Sequence, residues 1–502
     1  MDTRRLYITL AVMSATVMQV LDTTIVNVAL PHMSGELGAT SDSISWVLTS
    51  YIVAASIFMP LTGYLSDRLG RRRYLMISIG GFVIASVLCG LSNSLAGMVG
   101  FRILQGVFGA SLVPLSQSIM IDTYPIDERG KAMAIWGMGV MVAPVLGPTL
   151  GGYLTEIISW RWTFFINIPV GIVSLLLAAK FVPDTGKKQR SMDWTGLALL
   201  SLAIGAMQLV LDRGNQEDWF DSVSIRVSAF LAVAGLALFI ANSLMSKKQT
   251  LFDLRVFTDR NFVAASILSA AMGLSLYGGM LLQPLMLENV LGYPTMDTGL
   301  AMMPRGLASM MSMMLVGKMS GKVNAKSMIA FGIAVSIAGS YLMTGFNLNI
   351  NSGSLMLPLI LQGFGIGFIF APLSAIAFST LPRELATEGA GIYSLIRSLG
   401  SSIGISLVTT YFTRSTQANW DHLRGFINPF NPALAQYLAP LHLKADSTGL
   451  AMVAQQVGLQ AQMGGLIATF WLITASFLVM IPLLMLLKPG KPSKDAPVIV
   501  AD

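Results

Sequence analysis

Fourteen runs of about twenty mostly apolar residues, separated by short polar connections, occupy most of this chain. A helix needs about 20 such residues to cross the hydrocarbon of a bilayer, where every backbone polar group must be satisfied within the protein. The runs lie at 6–30, 44–65, 74–92, 96–117, 131–155 and 163–182; at 195–211 and 224–246; and at 262–287, 299–317, 327–346, 354–377, 390–411 and 465–487. The expected class is therefore all-α and polytopic. Only 11% of the 502 residues are charged, against about 25% in a soluble domain. That excludes a globule covered by its own polar surface. Cys89 is the single cysteine; with no disulfide available, a small buried hydrophobe is its expected role. No cleavable signal peptide is expected, because the first run is too long and no small-residue cleavage site follows it.

The net charge of +7 is a topology signal, not a nucleic-acid footprint. Six of the 32 Lys and Arg residues fall in loops on the side opposite the N-terminus (Arg161, Arg213, Arg226, Arg414, Arg424 and Lys444), and three (Arg102, Arg305 and Arg397) fall in runs or at their ends. The remaining 23 share the side of the N-terminus. Cytoplasmic loops carry the excess of basic residues, and an even number of spans puts both termini together. Both are expected in the cytoplasm.

The chain is also duplicated. "RILQGVFGA" (102–110) matches "LILQGFGIG" (359–367), "VPLSQS" (113–118) matches "APLSAI" (371–376), and "YPIDERGKA" (124–132) parallels "LPRELATEGA" (381–390). "GYLSDRLGRRR" (63–73) has a worn counterpart in "GKMSGKVNAKS" (317–327). Four matches in one order at a near-constant offset imply two parallel six-span halves. Such halves pack face to face around a midplane cavity in one large class of secondary transporters. The expected division is 1–186 for the first half, 187–260 for two inserted spans with their linkers, and 261–488 for the second half with an outer loop at 412–464. A cytoplasmic tail at 489–502 ends the chain.

Against this apolar background the polar residues inside spans stand out. An ionised Asp at mid-bilayer costs about 2.5–3.5 kcal/mol, yet Asp22 sits in the first run. Desolvation favours the neutral form of a carboxylate, so Asp22 is the candidate proton carrier, with Gln19, Thr23 and Asn27 near it on the helix as expected hydrogen-bond partners. Arg102 either snorkels to the outer interface or faces the cavity and acts on Asp22; Gln105, Gly106 and Gly109 make its face small and polar. Glu156 is either a second titrating group or a rim charge. Gly63, Asp67, Arg68, Gly70 and Arg71 in the loop after span two form a candidate cytoplasmic gate, Asp67 capping the next helix or pairing with an Arg; the alternative is a solvated basic loop. Pro144, Gly147, Pro148, Gly151 and Gly152 would make span five a bent, close-packed hinge, or serve ordinary helix packing. Gln19, Asn27, Gln105, Gln117, Tyr277, Gln283, Arg305, Gln362, Tyr393 and Arg397 are candidate lining of the substrate cavity. The 32 methionines and 24 phenylalanines add a slight hint of an adaptable site. His32, His422 and His442 lack metal-ligand spacing, and no phosphate-binding loop occurs, so no metal, enzyme centre or ATP drive is expected.

"LDTTIVNVALP", "GYLSDRLGRRR", "RILQGVFGA" and "VLGPTLGG" resemble the signature segments of the major facilitator superfamily. The fourteen spans resemble its drug:proton antiporter branch. "FFINIPVG" (164–171), "LDRGNQEDWF" (211–220) and "NPFNP" (428–432) make the chain similar to the EmrB-type multidrug exporters, over about residues 6 to 488. The resemblance implies a 6 + 2 + 6 major facilitator fold in the inner membrane. It implies export of hydrophobic or amphipathic toxic compounds in exchange for protons, with no cofactor. It also implies a periplasmic membrane-fusion adaptor and an outer-membrane channel as partners. Asp22, Asp67 and Arg102 match the family's first-span acid, loop Asp and fourth-span Arg. In the second half Gly321 replaces the loop Asp and Asn324 the loop Gly, which puts a symmetrical gate there in doubt. Two further expectations stay open: the 412–464 loop either docks an adaptor or caps the transporter, and a proton-coupled uptake symporter is the alternative to export. A passive scaffold would need neither Asp22 nor Arg102.

Overall fold

The computed structural model describes residues 3–125, 128–186, 192–245, 251, 253–428, 430–441 and 447–487. The described residues are helical with short connections. The first six long helices are α1 (Thr3–Glu36), α2 (Trp46–Leu69), α3 (Arg71–Gly90), α4 (Leu95–Thr123), α5 (Arg129–Ile157) and α6 (Trp162–Phe181). Two more follow, α7 (Trp194–Arg213) and α8 (Val223–Met245). The last six are α9 (Arg260–Leu285), α10 (Thr295–Met319), α11 (Ala325–Met343), α12 (Ser352–Ala377), α13 (Ala386–Arg424) and α14 (Ser447–Leu483). Thirteen helices among the described residues are long and apolar enough to cross a membrane, and α5, 29 residues long, occupies the place expected for span five.

Within the first six helices α1 packs on α4, α5 and α6, α2 on α4, and α3 on α4 and α6. The last six repeat this set: α9 packs on α12, α13 and α14, α10 on α12, and α11 on α12 and α14. The two groups meet through α5 on α10 and α12, and through α13 on α2 and α4. The inserted helix α7 lies at the seam, against α2 and α13, and α8 packs on α7. Only 17% of the apolar window of α8 is buried, so its surface of Phe230, Val233, Leu238 and Leu244 faces lipid.

Local chemistry shapes the breaks. Pro60 forces a 3₁₀ turn at Met59–Leu61 within α2, because it has no N–H to donate. Gly70 joins α2 to α3 at φ 84°, and a Cβ there would come 2.9 Å from Asp184 Oδ1; only glycine takes both at no cost.

The outer segment ends in a helix, as its amphipathic last stretch predicts, and differs from expectation at its start. Residues 412–424 are helical, because α13 continues for 39 residues, and α14 starts at Ser447 and runs for 37. The two extend well past the apolar spans as an antiparallel pair, bridged by the helix Pro432–Leu438. Thr416, Asn419 and Trp420 of α13 sit on Gly465, Gly464 and Gly458 of α14. Leu434, Leu438 and Val453 give the tip a small core of its own. The start of the segment reads as a loop because the apolar run of α13 ends long before the helix does.

Candidate functional site

The first-span acid lies at the centre of a closed polar cluster. Asp22 and Arg102 are both 0% exposed, and Arg102 Nη1 donates to Asp22 Oδ2 at 2.7 Å. Gln105 Nε2 donates to Asp22 Oδ1 at 2.9 Å and Asn167 Nδ2 to the same oxygen at 2.8 Å. Arg102 is itself fixed on four sides. Its Nη1 also donates to Gln105 Oε1 at 2.7 Å, its Nε to the Val47 carbonyl at 3.0 Å, and its guanidinium lies over the rings of Tyr51 and Phe164. Ser86 accepts from Asn167 at 2.9 Å and donates to the Phe164 carbonyl. Buried charges persist only when paired and hydrogen-bonded in this way. Arg102 therefore does not snorkel: it turns inward and acts on Asp22, inside a closed cluster that opens on no cavity among the described residues.

Two expectations about this cluster are corrected. Gln19, Thr23 and Asn27 do not bond Asp22: Gln19 donates to the Tyr51 hydroxyl at 3.1 Å, Thr23 to the Val20 carbonyl of its own helix, and Asn27 is exposed. Asp22 points across to α4 and α6, away from neighbours that fan round α1. Asn167 was missed, although a lone amide inside the apolar run "FFINIPVG" was a signal. Glu156 is exposed at the end of α5 and makes no hydrogen bond to the cluster among the described residues, which leaves it a rim charge. Cys89 is buried beside the cluster, 3.7 Å from Gln105 Oε1.

The second half carries a related network. Arg305 Nη1 donates to Gln283 Oε1 at 2.5 Å, Gln283 Nε2 to Gln362 Oε1 at 2.7 Å, and Gln362 Nε2 to Ser340 Oγ at 3.0 Å. Three residues singled out separately in the sequence thus form one chain. Arg305 lines a cavity between α5, α9, α10 and α12, whose walls include Met141, Met280, Met302 and Ile366. Near the seam Arg397 is ringed by Trp136 of α5, Phe370 of α12 and Tyr393 of α13 at 5.6–6.0 Å. Gln117 is 0% exposed with neither amide atom bonded. The side chain of Tyr277 lies outside the described residues.

At the end that carries the loop between α2 and α3 the halves are sealed. The start of α13 is buried, and a Cβ on Gly63 of α2 would come 3.0 Å from the Glu388 Cα of α13. Ser118 of α4 bonds Thr387 at 2.9 Å, and Arg129 Nη1 donates to the Phe378 carbonyl at 3.1 Å. Glu388 accepts from the backbone N–H of Asp253. Asp67 does not cap the next helix. It lies half-buried in the last turn of α2, within electrostatic reach of Arg71. Arg71 pairs with Asp122, Arg72 with Asp184 at 3.5 Å, and Arg68 donates to Tyr64, all within the first half. Of the motif's residues, Gly63 is the one that touches the other half, against Glu388, a residue its motif does not point to. On α5, Gly147 and Gly151 pack on Thr24 and Ile25 of α1, the helix of Asp22, and Gly152 is half-buried. The side chains of Pro144 and Pro148 lie outside the described residues.

The profile of the Major Facilitator Superfamily matches residues 12–405. The chain belongs to that superfamily. Within it the chain belongs with the EmrB-type proteins: it is 35% identical over 493 residues to the multidrug export protein EmrB of Escherichia coli (strain K12), covering 96% of this chain and 95% of that protein. It is 36% identical over 488 residues to the fatty acid resistance protein FarB of Neisseria gonorrhoeae, covering 96% of each. Solved superfamily structures share the fold at low identity. The human organic anion transporter MFSD10 (TETRAN) superposes with a TM-score of 0.63 at 15% identity, over 97% of this chain and all of that one. The proton:xylose symporter XylE bound to 6-bromo-6-deoxy-D-glucose gives 0.57 at 16%, over 97% and 100%. This superfamily member is thus a multi-pass membrane transporter of the efflux type and not an enzyme.

Proposed function

We propose that the chain is a proton-driven exporter of hydrophobic and amphipathic compounds, seated in the inner membrane with both termini in the cytoplasm. It draws on the proton gradient and no cofactor, and it hands its cargo to a periplasmic adaptor and an outer-membrane channel. The names of its relatives, multidrug export and fatty acid resistance, support the cargo class.

One observation carries the coupling: the acid of α1 is held, fully buried, by donors from α4 and α6 alone. A proton arriving on Asp22 cancels the charge that holds Arg102, so α1 loosens from both partner helices at once. Loss of the proton restores the grip. Each charge moved through 100 mV supplies about 2.3 kcal/mol, comparable to one hydrogen bond to a charged group. The exposed aromatics Phe426, Phe430 and Tyr437 on the connection that bridges the outer helical pair fit a protein partner better than a mere cap.

Proteoliposomes with an imposed pH gradient test this. Lipophilic drugs should move against the proton flow, and Asp22→Asn should insert normally yet lose at least tenfold in gradient-driven transport. Undiminished driven transport by that variant would remove Asp22 from the coupling.

A further inference from the structure

The two polar networks differ in one respect. In the first half the buried Arg102 has its carboxylate, Asp22. In the second half Arg305, 7% exposed, has none among the described residues: Nη1 bonds the neutral Gln283, and Nη2 reaches only the Leu276 carbonyl at 3.5 Å. The 257-residue offset that places Gln105 on Gln362 places Asp22 on Gly279. Gly279 lies directly before the guanidinium. A Cβ built there would stand 3.8 and 3.9 Å from the two terminal nitrogens of Arg305 and 3.9 Å from Gln283 Nε2, in ordinary contact and with no clash. Where one half carries an acid, the other carries a gap facing a cation.

Arg305 itself lines the cavity formed with Met141, Leu276, Met280, Met302 and Ile366. We propose that Arg305, Gln283 and Gly279 form a binding site for the carboxylate of single-chain amphipathic acids, the ligand's own carboxylate standing where the missing side chain would be. A guanidinium fork matches a carboxylate in two parallel hydrogen bonds. Gln283 holds the fork in place, and the apolar walls take the ligand's tail. Methionines adapt to tails of different shape, so head charge is selected and tail shape is not. This names a substrate class for the export reading and rests on it.

The probe is 1-pyrenebutyrate, compared with the uncharged 1-pyrenebutanol, in equilibrium binding to the full-length protein in neutral detergent at pH 7.5. The wild type should bind the acid at least tenfold more tightly than the alcohol. Arg305→Met should bring that ratio within twofold. Gly279→Asp, which supplies Arg305 with a fixed partner and so does not depend on the fold tolerating a lost charge, should do the same. Gly279→Asn, equal in size and uncharged, should keep at least a fivefold preference. A wild-type ratio near one, or equal behaviour of the Asp and Asn variants, overturns the site. Displacement of the acid by equimolar phosphatidylglycerol overturns it too, in favour of lipid headgroups. Binding needs no gradient, so the outcomes separate. An intact acid preference without driven transport refutes export and leaves the site, and driven transport of neutral drugs without acid preference refutes the site alone.

Discussion

Asp22 and Arg102 stabilise the molecule only as a pair. Removing one member of a buried pair strands the other charge, at about 3–5 kcal/mol. Arg102→Ala should therefore lower the thermal midpoint sharply, and the double variant Asp22→Asn with Arg102→Gln should recover most of it. Equal instability of the single and double variants would show that packing, not pairing, matters at this position. Gln117 makes the opposite case: an unbonded buried amide costs about 1–3 kcal/mol, so Gln117→Leu should raise the midpoint while weakening drug binding. A rise without any change in binding would make the orphaned amide a packing flaw and not part of the cavity. Single residues were legible in the sequence where they broke an apolar run at high cost, as Asp22, Arg102, Gln105 and Arg305 do. Their partners were not, because Asn167 lies 145 residues from Asp22 and nothing in one run names its neighbour in another.

At the scale of elements, hydrophobic length located the helices, and it says nothing about what lies between them. The expected spans 195–211 and 224–246 are α7 and α8 almost to the residue, α7 starting at the Asp193 cap, whose carboxylate accepts from the Gly196 N–H. By contrast α13 and α14 overran their apolar stretches, held together by glycine-to-side-chain packing that no hydropathy window senses. The gate shows the same limit. The loop motif was visible, but its contact across the halves is a backbone approach of Gly63 to Glu388. A β-branched side chain there has no room, so Gly63→Val should wedge the cytoplasmic ends apart. Maleimide labelling of Ser118→Cys from the cytoplasmic side should rise severalfold in that background. Unchanged labelling would show that the contact does not hold the seal.

For the whole molecule, the repeated set of helix neighbours in the two halves lets one sequence pattern build both lobes, while the differences between them carry the asymmetry of function. The outer helical pair belongs to neither lobe's repeat. Shortening both of its helices by two turns should spare transport in vesicles and abolish resistance in whole cells that contain an adaptor; equal loss in both assays would make it a cap. Helix α13 spans about 58 Å at 1.5 Å per residue, in one unbroken piece. Its first turn is wedged against Gly63 and its last reaches the outer tip. Such a rod works as a lever with its short arm at the sealed end. Whatever grasps the far end feels directly whether the opposite door is shut, and by holding still it can keep that door from moving.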